Sequence, residues 1–239
     1  MFSEIKKKKI ALVCCRKNSK GIPNKNIKFF FGKPLLYWTY QNILKSKLFD
    51  KIYLSTDGEN IFKIGKKIGF EVPHLRPKKL ATSKSDVFDT HKFFFKKMKI
   101  ENQNSYVCII NNNPFLTSSL IKKSFSIFKK NNFKHIVMGA IKIDPDQIFF
   151  RQMIKKNSFL FPKFSRELIN SKINRKDYKI YYNIGDLRWG KPKWLINYYN
   201  FNKRICKSGF KFFEIDSSKY HDLNSPQDWN QALYKFKKL

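Results

Sequence analysis

The chain is short of acidic residues. Among its 239 residues, 17 are Asp or Glu and 50 are Lys or Arg, which gives a formal net charge of +33. A surplus of this size is typical of proteins that bind nucleic acids or anionic membranes. The basic residues are spread from Lys6 to Lys238 without a dominant arm, and they accompany abundant Phe, Asn and Ile. We interpret the charge as a chain-wide compositional bias that also attracts anionic substrates, and nucleic-acid binding is kept as an alternative.

Cysteines and long apolar runs are also scarce. The four cysteines form neither a CxxC pair nor a Cys/His spacing typical of zinc, and Cys14, Cys15 and Cys108 lie in apolar segments. We interpret them as reduced thiols of the core. The first apolar run spans only about six residues, too few for a signal peptide, and no other run approaches a membrane span. A cytoplasmic protein without a membrane partner is therefore expected.

The order of the remaining patterns predicts an α/β fold. Apolar strand-like runs at residues 9–15, 51–57, 105–110 and 134–143 alternate with amphipathic helical segments. This alternation indicates an open, mostly parallel sheet with helices on its faces. Within the second helical segment, Thr56–Glu59 has the spacing of a capping box.

Residues 144–182 interrupt the alternation with an irregular, aromatic stretch. We predict an inserted lobe there, within a single domain of residues 1–239. After it, a helix, a strand and a C-terminal helix are expected, the last with Ser225 as its N-cap and Pro226 in its first turn.

A basic loop, residues 16–26, follows the first predicted strand with the sequence RKNSKGIPNKN. Open α/β sheets bind ligands beyond the carboxyl ends of their strands. The loop has a single glycine, Gly21, and so matches neither the Walker A nor the GxGxxG pattern. Its cations and exposed N–H groups nevertheless suit a polyphosphate, with Asn18, Ser19 and Asn26 as neutral donors. The alternative is an ordinary solvated basic loop.

The loop and several later segments resemble the acylneuraminate cytidylyltransferases, which include the CMP-sialic acid synthetases and their nonulosonic acid relatives. The family's first motif is (A/C)-R-x-x-S-K-G-(I/L)-P-x-K-N. The likeness continues in order through GKPLLYWTY, LFDKIYLSTDGENI, GFEVPHLRPKKLA and HDLNSPQDW, and so covers nearly the whole chain. The matching loop positions are Arg16, Ser19, Lys20, Gly21, Pro23, Lys25 and Asn26.

The resemblance implies a Rossmann-like nucleotide-diphospho-sugar transferase fold and a nucleotidyltransferase. Such an enzyme transfers CMP from CTP to the anomeric hydroxyl of a nine-carbon 2-keto acid sugar and releases pyrophosphate. Catalysis would depend on Lys25, Arg16 and Lys20, because nucleotidyl transfer is promoted mainly by positioning and charge neutralisation. Asn26 would contact the ribose and Arg76 would lie near the cytosine. The candidate nucleotide-binding residues are Arg16, Asn18, Ser19, Lys20, Asn26 and Arg76.

The resemblance also implies Mg²⁺ at a C-terminal Asp-x-Asp pair. Here the pair is Asp222 and Asn224. An Asn carbonyl can ligate Mg²⁺ but adds no negative charge. We therefore expect weaker metal binding, or more dependence on the oxygens of the nucleotide. A catalytically degenerate relative is an alternative.

The acceptor segments depart from the sialic acid pattern. The sequence NNNPF at residues 111–115 is closer to the Ala-Thr-Ala-Pro-Phe of the pseudaminic acid cytidylyltransferases, and NIGDLRWG at 183–190 resembles their Asp-Ala-Gly-Gln-Phe-Tyr-Trp-Gly. The implied acceptor is a related nonulosonic acid, whose carboxylate could pair with Arg166. The inserted lobe resembles the family's dimerisation region, which implies a homodimer. The candidate acceptor residues are Asn112, Asn113, Arg166 and Asn183.

Overall fold

The computed structural model describes residues 7–19, 21–82, 85–100, 104–143, 153–156, 159–162, 182–196 and 210–238. The predicted site residues Lys20 and Arg166 lie outside the described residues, as does most of the predicted lobe at 144–182. Two short strands within that segment are described and pair with each other in antiparallel fashion.

A six-stranded mixed sheet forms the centre of the described structure. Its strands and those of two small hairpins are β1 (Lys8–Cys15), β2 (Phe29–Phe30), β3 (Lys33–Pro34), β4 (Lys51–Thr56), β5 (Ser105–Ile110), β6 (Val137–Lys142), β7 (Met153–Lys156), β8 (Phe159–Pro162), β9 (Tyr182–Gly190) and β10 (Lys211–Glu214). The order in the large sheet is β10-β6-β9-β5-β1-β4. Strand β1 runs parallel to β4 and β5, and β10 runs parallel to β6. The predicted open, mostly parallel sheet is confirmed.

Strand β9 was not predicted. It runs antiparallel between β5 and β6, with Trp189 opposite both Cys108 and Val137. The sheet is therefore mixed at its centre.

Helices cover both faces of the sheet. The described helices are α1 (Leu35–Ser46), α2 (Glu59–Ile68), α3 (Val87–Lys97), α4 (Ser118–Lys130), α5 (Pro192–Leu195) and α6 (Pro226–Phe236). Along β1, side chains alternate between the two faces, as strand geometry requires. Ala11, Val13 and Cys15 join a core with α1, α2, α4 and α6, whereas Ile10 and Leu12 join a core with α3 and α5. In the described part of the chain, no helix is both long and apolar enough to cross a bilayer.

Of the two helix starts predicted from capping residues, one is confirmed and one is wrong. Ser225 and Asp228 form a reciprocal capping box at the start of α6, with Pro226 in its first turn. The predicted capping box at the start of α2 is wrong, because the N-cap is Gly58 and has no side-chain hydrogen bond. Thr56 is instead the buried last residue of β4, and its hydroxyl accepts a hydrogen bond from the N–H of Gly58 at 3.1 Å.

The side chain of Trp189 fills the centre of the larger core. It is fully buried, its ring stacks on Phe49 with 5.2 Å between centroids, and its Nε1 donates to the Ser124 hydroxyl at 2.9 Å. We expect Trp189→Ala to lower the free energy of unfolding by about 3–5 kcal/mol, because it leaves a large cavity. Urea denaturation should show Trp189→Phe to be clearly milder, since it retains the ring packing. A loss below about 1 kcal/mol in Trp189→Ala would contradict this role of Trp189.

Candidate active site

A cavity of about 530 Å³ opens at the carboxyl ends of β1 and β5. Its wall includes Cys14 at the end of β1 and Asn111 just after β5. This is the edge of the sheet at which open α/β folds bind their ligands. The predicted site residues that line the cavity are Arg16, Ser19, Lys25, Asn26, Arg76, Asn112, Asn113, Asp222 and Asn224.

Two predicted residues lie elsewhere. Asn18 faces an adjoining cleft of about 640 Å³, together with Lys17 and the start of α2. Asn183 is exposed near the start of β9, opposite Ile141, and does not line the cavity. The structure therefore brings neither side chain to the cavity wall.

A buried hydrogen-bond chain fixes the shape of the basic loop. The Asn26 amide donates to the Arg16 carbonyl at 3.0 Å, and the Asn112 amide donates to the Asn26 side-chain oxygen at 3.0 Å. The Thr39 hydroxyl on α1 completes the chain by donating to the Asn112 oxygen at 2.7 Å. Because buried polar groups are costly to leave unpaired, this chain holds the loop against the end of β5. Asn26 and Asn112 thus have a scaffolding role in addition to any contact with substrate.

Arg76 is a buried cation in the cavity wall, 6% exposed. One of its terminal nitrogens lies 3.2 Å from an Asp57 carboxylate oxygen, which also accepts the N–H of Lys17 at 2.9 Å. Asp57 was not predicted, although it lies in the TDGE segment that had been interpreted as a helix cap. The Nε of Arg76 is buried and has no hydrogen-bond partner among the described residues. A ligand with an acceptor group would satisfy this nitrogen.

The basic loop touches a C-terminal loop, residues 221–225, at two points. The Lys25 ammonium donates to the Leu223 carbonyl at 2.8 Å. At Gly21, an added Cβ would lie 1.6 Å from the Asn224 carbonyl oxygen, so only glycine permits this close approach. The two loops therefore form one rigid edge of the cavity. An ammonium group has three donors, so Lys25 can contact a ligand while it remains bound to Leu223.

Asp222 and Asn224 are hydrogen-bonded to each other. The Asn224 amide donates to one Asp222 oxygen at 2.6 Å, and the other oxygen accepts the N–H of Leu223 at 2.8 Å. Asp228 is occupied by the capping box of α6 and by the N–H of Asn224. Within the described ranges, no group of three or more His, Cys, Asp or Glu side chains could hold a metal ion.

Asp222 and Asn224 provide only part of the ligand set of a Mg²⁺ ion. They offer one carboxylate and, after rotation of the amide, one carbonyl oxygen. Mg²⁺ in nucleotide sites is held by one or two carboxylates together with phosphate oxygens and water. The two residues can therefore hold a Mg²⁺ ion that arrives with a triphosphate.

Asp186 on β9 lines the cavity and was not predicted to be a site residue. Its carboxylate accepts from the Asn111 amide at 2.5 Å, from the Asn113 amide at 3.3 Å, and from the Tyr220 hydroxyl. Burial, and then the nearby Asp186 charge, raise the pKa of Tyr220, which therefore keeps its proton and stays a donor.

In the segment DLRWG, which contains Asp186, the side chains alternate between polar and apolar. This alternation is the signal that could have revealed a half-buried strand.

Part of the cavity wall comes from the segment that leads into α3 and from the first turn of that helix. The lining residues there are Leu80, Ala81, Thr82, Ser85, Val87 and Thr90. None of these was predicted to be a site residue. Cys14, which was expected to be a core thiol, is half-buried at the cavity wall. Burial raises the pKa of its thiol to about 11, so it is not a nucleophile near neutral pH.

Two curated relatives are similar to this sequence over most of its length. A pseudaminic acid cytidylyltransferase from Campylobacter jejuni is 26% identical over 95% of this chain and 97% of its own. The CMP-N,N'-diacetyllegionaminic acid synthase of Legionella pneumophila is 27% identical over 92% of each chain. A bifunctional protein from Helicobacter pylori, pseudaminic acid cytidylyltransferase and UDP-2,4-diacetamido-2,4,6-trideoxy-beta-L-altropyranose hydrolase, is 31% identical over 51% of this chain. The aligned region spans 24% of that protein's length.

Solved structures show the same fold. The CTP complex of CMP:2-keto-3-deoxy-manno-octonic acid synthetase superposes with a TM-score of 0.70 at 12% identity, covering 97% of this chain and 99% of that one. A cytidylyltransferase from Leptospira borgpetersenii superposes with a TM-score of 0.60 at 16% identity, covering 98% of this chain and 88% of that one. The predicted nucleotidyltransferase fold is confirmed.

The family model described as cytidylyltransferase matches residues 10–160, which include the basic loop, Arg76 and the asparagines after β5. Together with the curated relatives, this match confirms the resemblance to the acylneuraminate and pseudaminic acid cytidylyltransferases. The chain belongs to the cytidylyltransferase family.

Proposed function

We propose that the protein transfers CMP from CTP to the anomeric hydroxyl of a nonulosonic acid and releases pyrophosphate. The observation that carries the proposal is that one cavity at the strand ends gathers Arg16, Lys25 and Arg76 with Asp222 and Asn224. Cations and metal ligands are the groups that bind a triphosphate. The names of the pseudaminic and legionaminic acid relatives support a nonulosonic acceptor.

In this reaction the sugar hydroxyl attacks the α-phosphorus and a new O–P bond forms. The bond from the α-phosphorus to the oxygen that bridges to the β-phosphate breaks, and the hydroxyl proton passes to solvent. Negative charge develops on the departing pyrophosphate, and Lys25 and Arg16 lie in the cavity wall to neutralise it. Lys20 belongs to the same loop and keeps this role as a proposal. A bound Mg²⁺ would supply further charge neutralisation on the phosphates, held by Asp222 and Asn224. Asn26 and Asn112 keep the loop in place and so limit reorganisation during the reaction.

The acceptor would occupy the part of the cavity next to Asn111, Asn112 and Asn113. Arg166 stays a proposed partner for the sugar carboxylate. A homodimer is proposed from the family resemblance, and light scattering of the purified protein tests it. A cytoplasmic location also stays a prediction.

Pyrophosphate release tests the proposed function. The protein would be incubated with CTP and Mg²⁺ and with pseudaminic, legionaminic, N-acetylneuraminic or 2-keto-3-deoxy-manno-octonic acid in turn. We expect release with a nine-carbon acid, little with the eight-carbon acid, and none when ATP or GTP replaces CTP. If CTP binds but no acid supports release, the degenerate alternative is favoured. Tight binding of nucleic acid that collapses steeply with salt, without any turnover, would favour the nucleic-acid alternative.

The Asn224→Asp variant tests the metal position. We expect this change to lower the Mg²⁺ concentration needed for half-maximal activity several-fold, because a second carboxylate would face the ion. Without Mg²⁺ the two carboxylates would repel each other where Asn224 now donates to Asp222 at 2.6 Å. Thermal unfolding of the variant should therefore occur at a lower temperature than wild type in EDTA, and Mg²⁺ should recover the difference. An unchanged Mg²⁺ titration would contradict this position.

A further inference from the structure

Asp186 joins two parts of the cavity wall that are distant in sequence. Its carboxylate accepts hydrogen bonds from Asn111 and Asn113, which follow β5, and from Tyr220, which precedes the C-terminal loop. The backbone takes part as well, since the N–H of Asn111 donates to the Asp186 carbonyl at 2.8 Å. These contacts place a single carboxylate between the proposed acceptor side and the proposed metal side of the cavity.

The connection extends to the residues beside Asp222. The Asn113 amide that reaches Asp186 also donates to the His221 carbonyl at 3.0 Å, and the Asn113 oxygen accepts the N–H of Phe115 at 3.0 Å. Asn113 is therefore fixed in orientation by bonds on both ends of its amide. Tyr220 and His221 immediately precede Asp222, so the contacts that fix these two residues also fix the position of Asp222.

The chemistry of the site requires an acceptor at residue 186. Among the described residues, the three side chains that hydrogen-bond to Asp186 all act as donors, and a carboxylate accepts without presenting any N–H of its own. An Asn at this position would turn an NH₂ group towards at least one donor, which either breaks that bond or forces a facing amide to rotate out of its present orientation. The same change keeps the size of the side chain and the backbone of β9.

We propose that Asp186 is a positioning residue that holds the acceptor-side asparagines and the loop carrying Asp222 in one arrangement, and so couples Mg²⁺-dependent CTP binding to the acceptor site. This inference rests on the proposed function for the identity of its ligands. It assigns to Asp186 no contact with the reacting atoms.

The test compares Asp186→Asn with Glu214→Gln, a charge-matched control on the exposed face of β10. Calorimetry would measure CTP affinity with and without Mg²⁺, in the absence of any acceptor. We expect Asp186→Asn to bind CTP like wild type in EDTA. The factor by which Mg²⁺ raises its CTP affinity should be about tenfold smaller than in wild type. With an acceptor present, its KM for the acid should rise about tenfold. Asp186→Glu, which keeps the acceptor group, should recover part of both effects, and Tyr220→Phe should show a smaller change in the same direction.

Two outcomes would overturn the inference. One is an Asp186→Asn protein that matches Glu214→Gln in both measurements. The other is an equal loss of CTP affinity with and without Mg²⁺ together with a lowered melting temperature, which would indicate a general structural role. Failure of the wild-type protein to release pyrophosphate contradicts the proposed function alone, because the Mg²⁺-dependent change in CTP affinity is measured without an acceptor.

Discussion

Replacing Lys25 with alanine should lower the turnover number by about two to three orders of magnitude, the usual effect of removing a group that stabilises developing charge. Lys25 lines the cavity and is held by the Leu223 carbonyl at 2.8 Å, so its charge is fixed in position before substrate arrives. CTP affinity should fall much less than turnover, because the other cations of the cavity still contact the triphosphate. Steady-state pyrophosphate release and calorimetry with CTP separate these two quantities.

Lys17→Ala is the matched control for this prediction. Lys17 belongs to the same loop, but its side chain is exposed and faces the adjoining cleft. The change removes the same charge from the chain, and we expect turnover within about twofold of wild type. If Lys17→Ala and Lys25→Ala lower turnover equally, the general charge of the loop matters and the fixed position of Lys25 does not. Near-normal turnover in Lys25→Ala would remove Lys25 from the catalytic residues.

Gly21→Ala should abolish measurable CTP binding at concentrations that saturate the wild-type protein. The added methyl carbon would lie 1.6 Å from the carbonyl oxygen of Asn224 and 2.8 Å from its carbonyl carbon. Both of these atoms belong to the backbone, so the two loops must move apart, and with them Lys25, Asp222 and Asn224. We expect a loss of about 1–3 kcal/mol in the free energy of unfolding, as for other overpacked sites.

Calorimetry and urea denaturation measure the two effects of Gly21→Ala, and Gly58→Ala is the comparison. At Gly58 the added carbon would meet the Cβ of Lys17 at 3.1 Å, a contact that a small shift relieves. We expect Gly58→Ala to retain CTP binding. A Gly21→Ala protein with wild-type CTP affinity would show that the contact between the loops is not needed for the site.

The buried strands of the sheet could be predicted because their signal is local. The run at residues 105–110 coincides with β5, in which every residue is buried. Strand β9 has a local signal in the alternation of DLRWG, but its place between β5 and β6 depends on distant partners and could not be predicted. The capping box at Thr56 failed because this residue is the buried end of β4 and its hydroxyl accepts the N–H of Gly58, so that the helix begins only after Gly58.

The cations of the site were predictable for a different reason. Arg16 follows β1 directly and Lys25 belongs to the same loop, and the rule for open α/β sheets places this loop at the ligand edge. The partners that hold these residues were not predictable. Asp57 and Asp186 act through contacts with residues that are far away in the chain, and no local spacing marks such contacts.

The central place of β9 has a consequence for folding during synthesis. Strands β5 and β6 leave the ribosome well before residue 190, yet the strand that joins them is β9. Until β9 is made, each of the two has a hydrogen-bonding edge without its final neighbour, and such edges promote association between chains. During this interval the repulsion between highly charged chains, each with a net charge of +33, opposes their association. A stop codon placed before β9 should yield inclusion bodies and not a smaller folded domain.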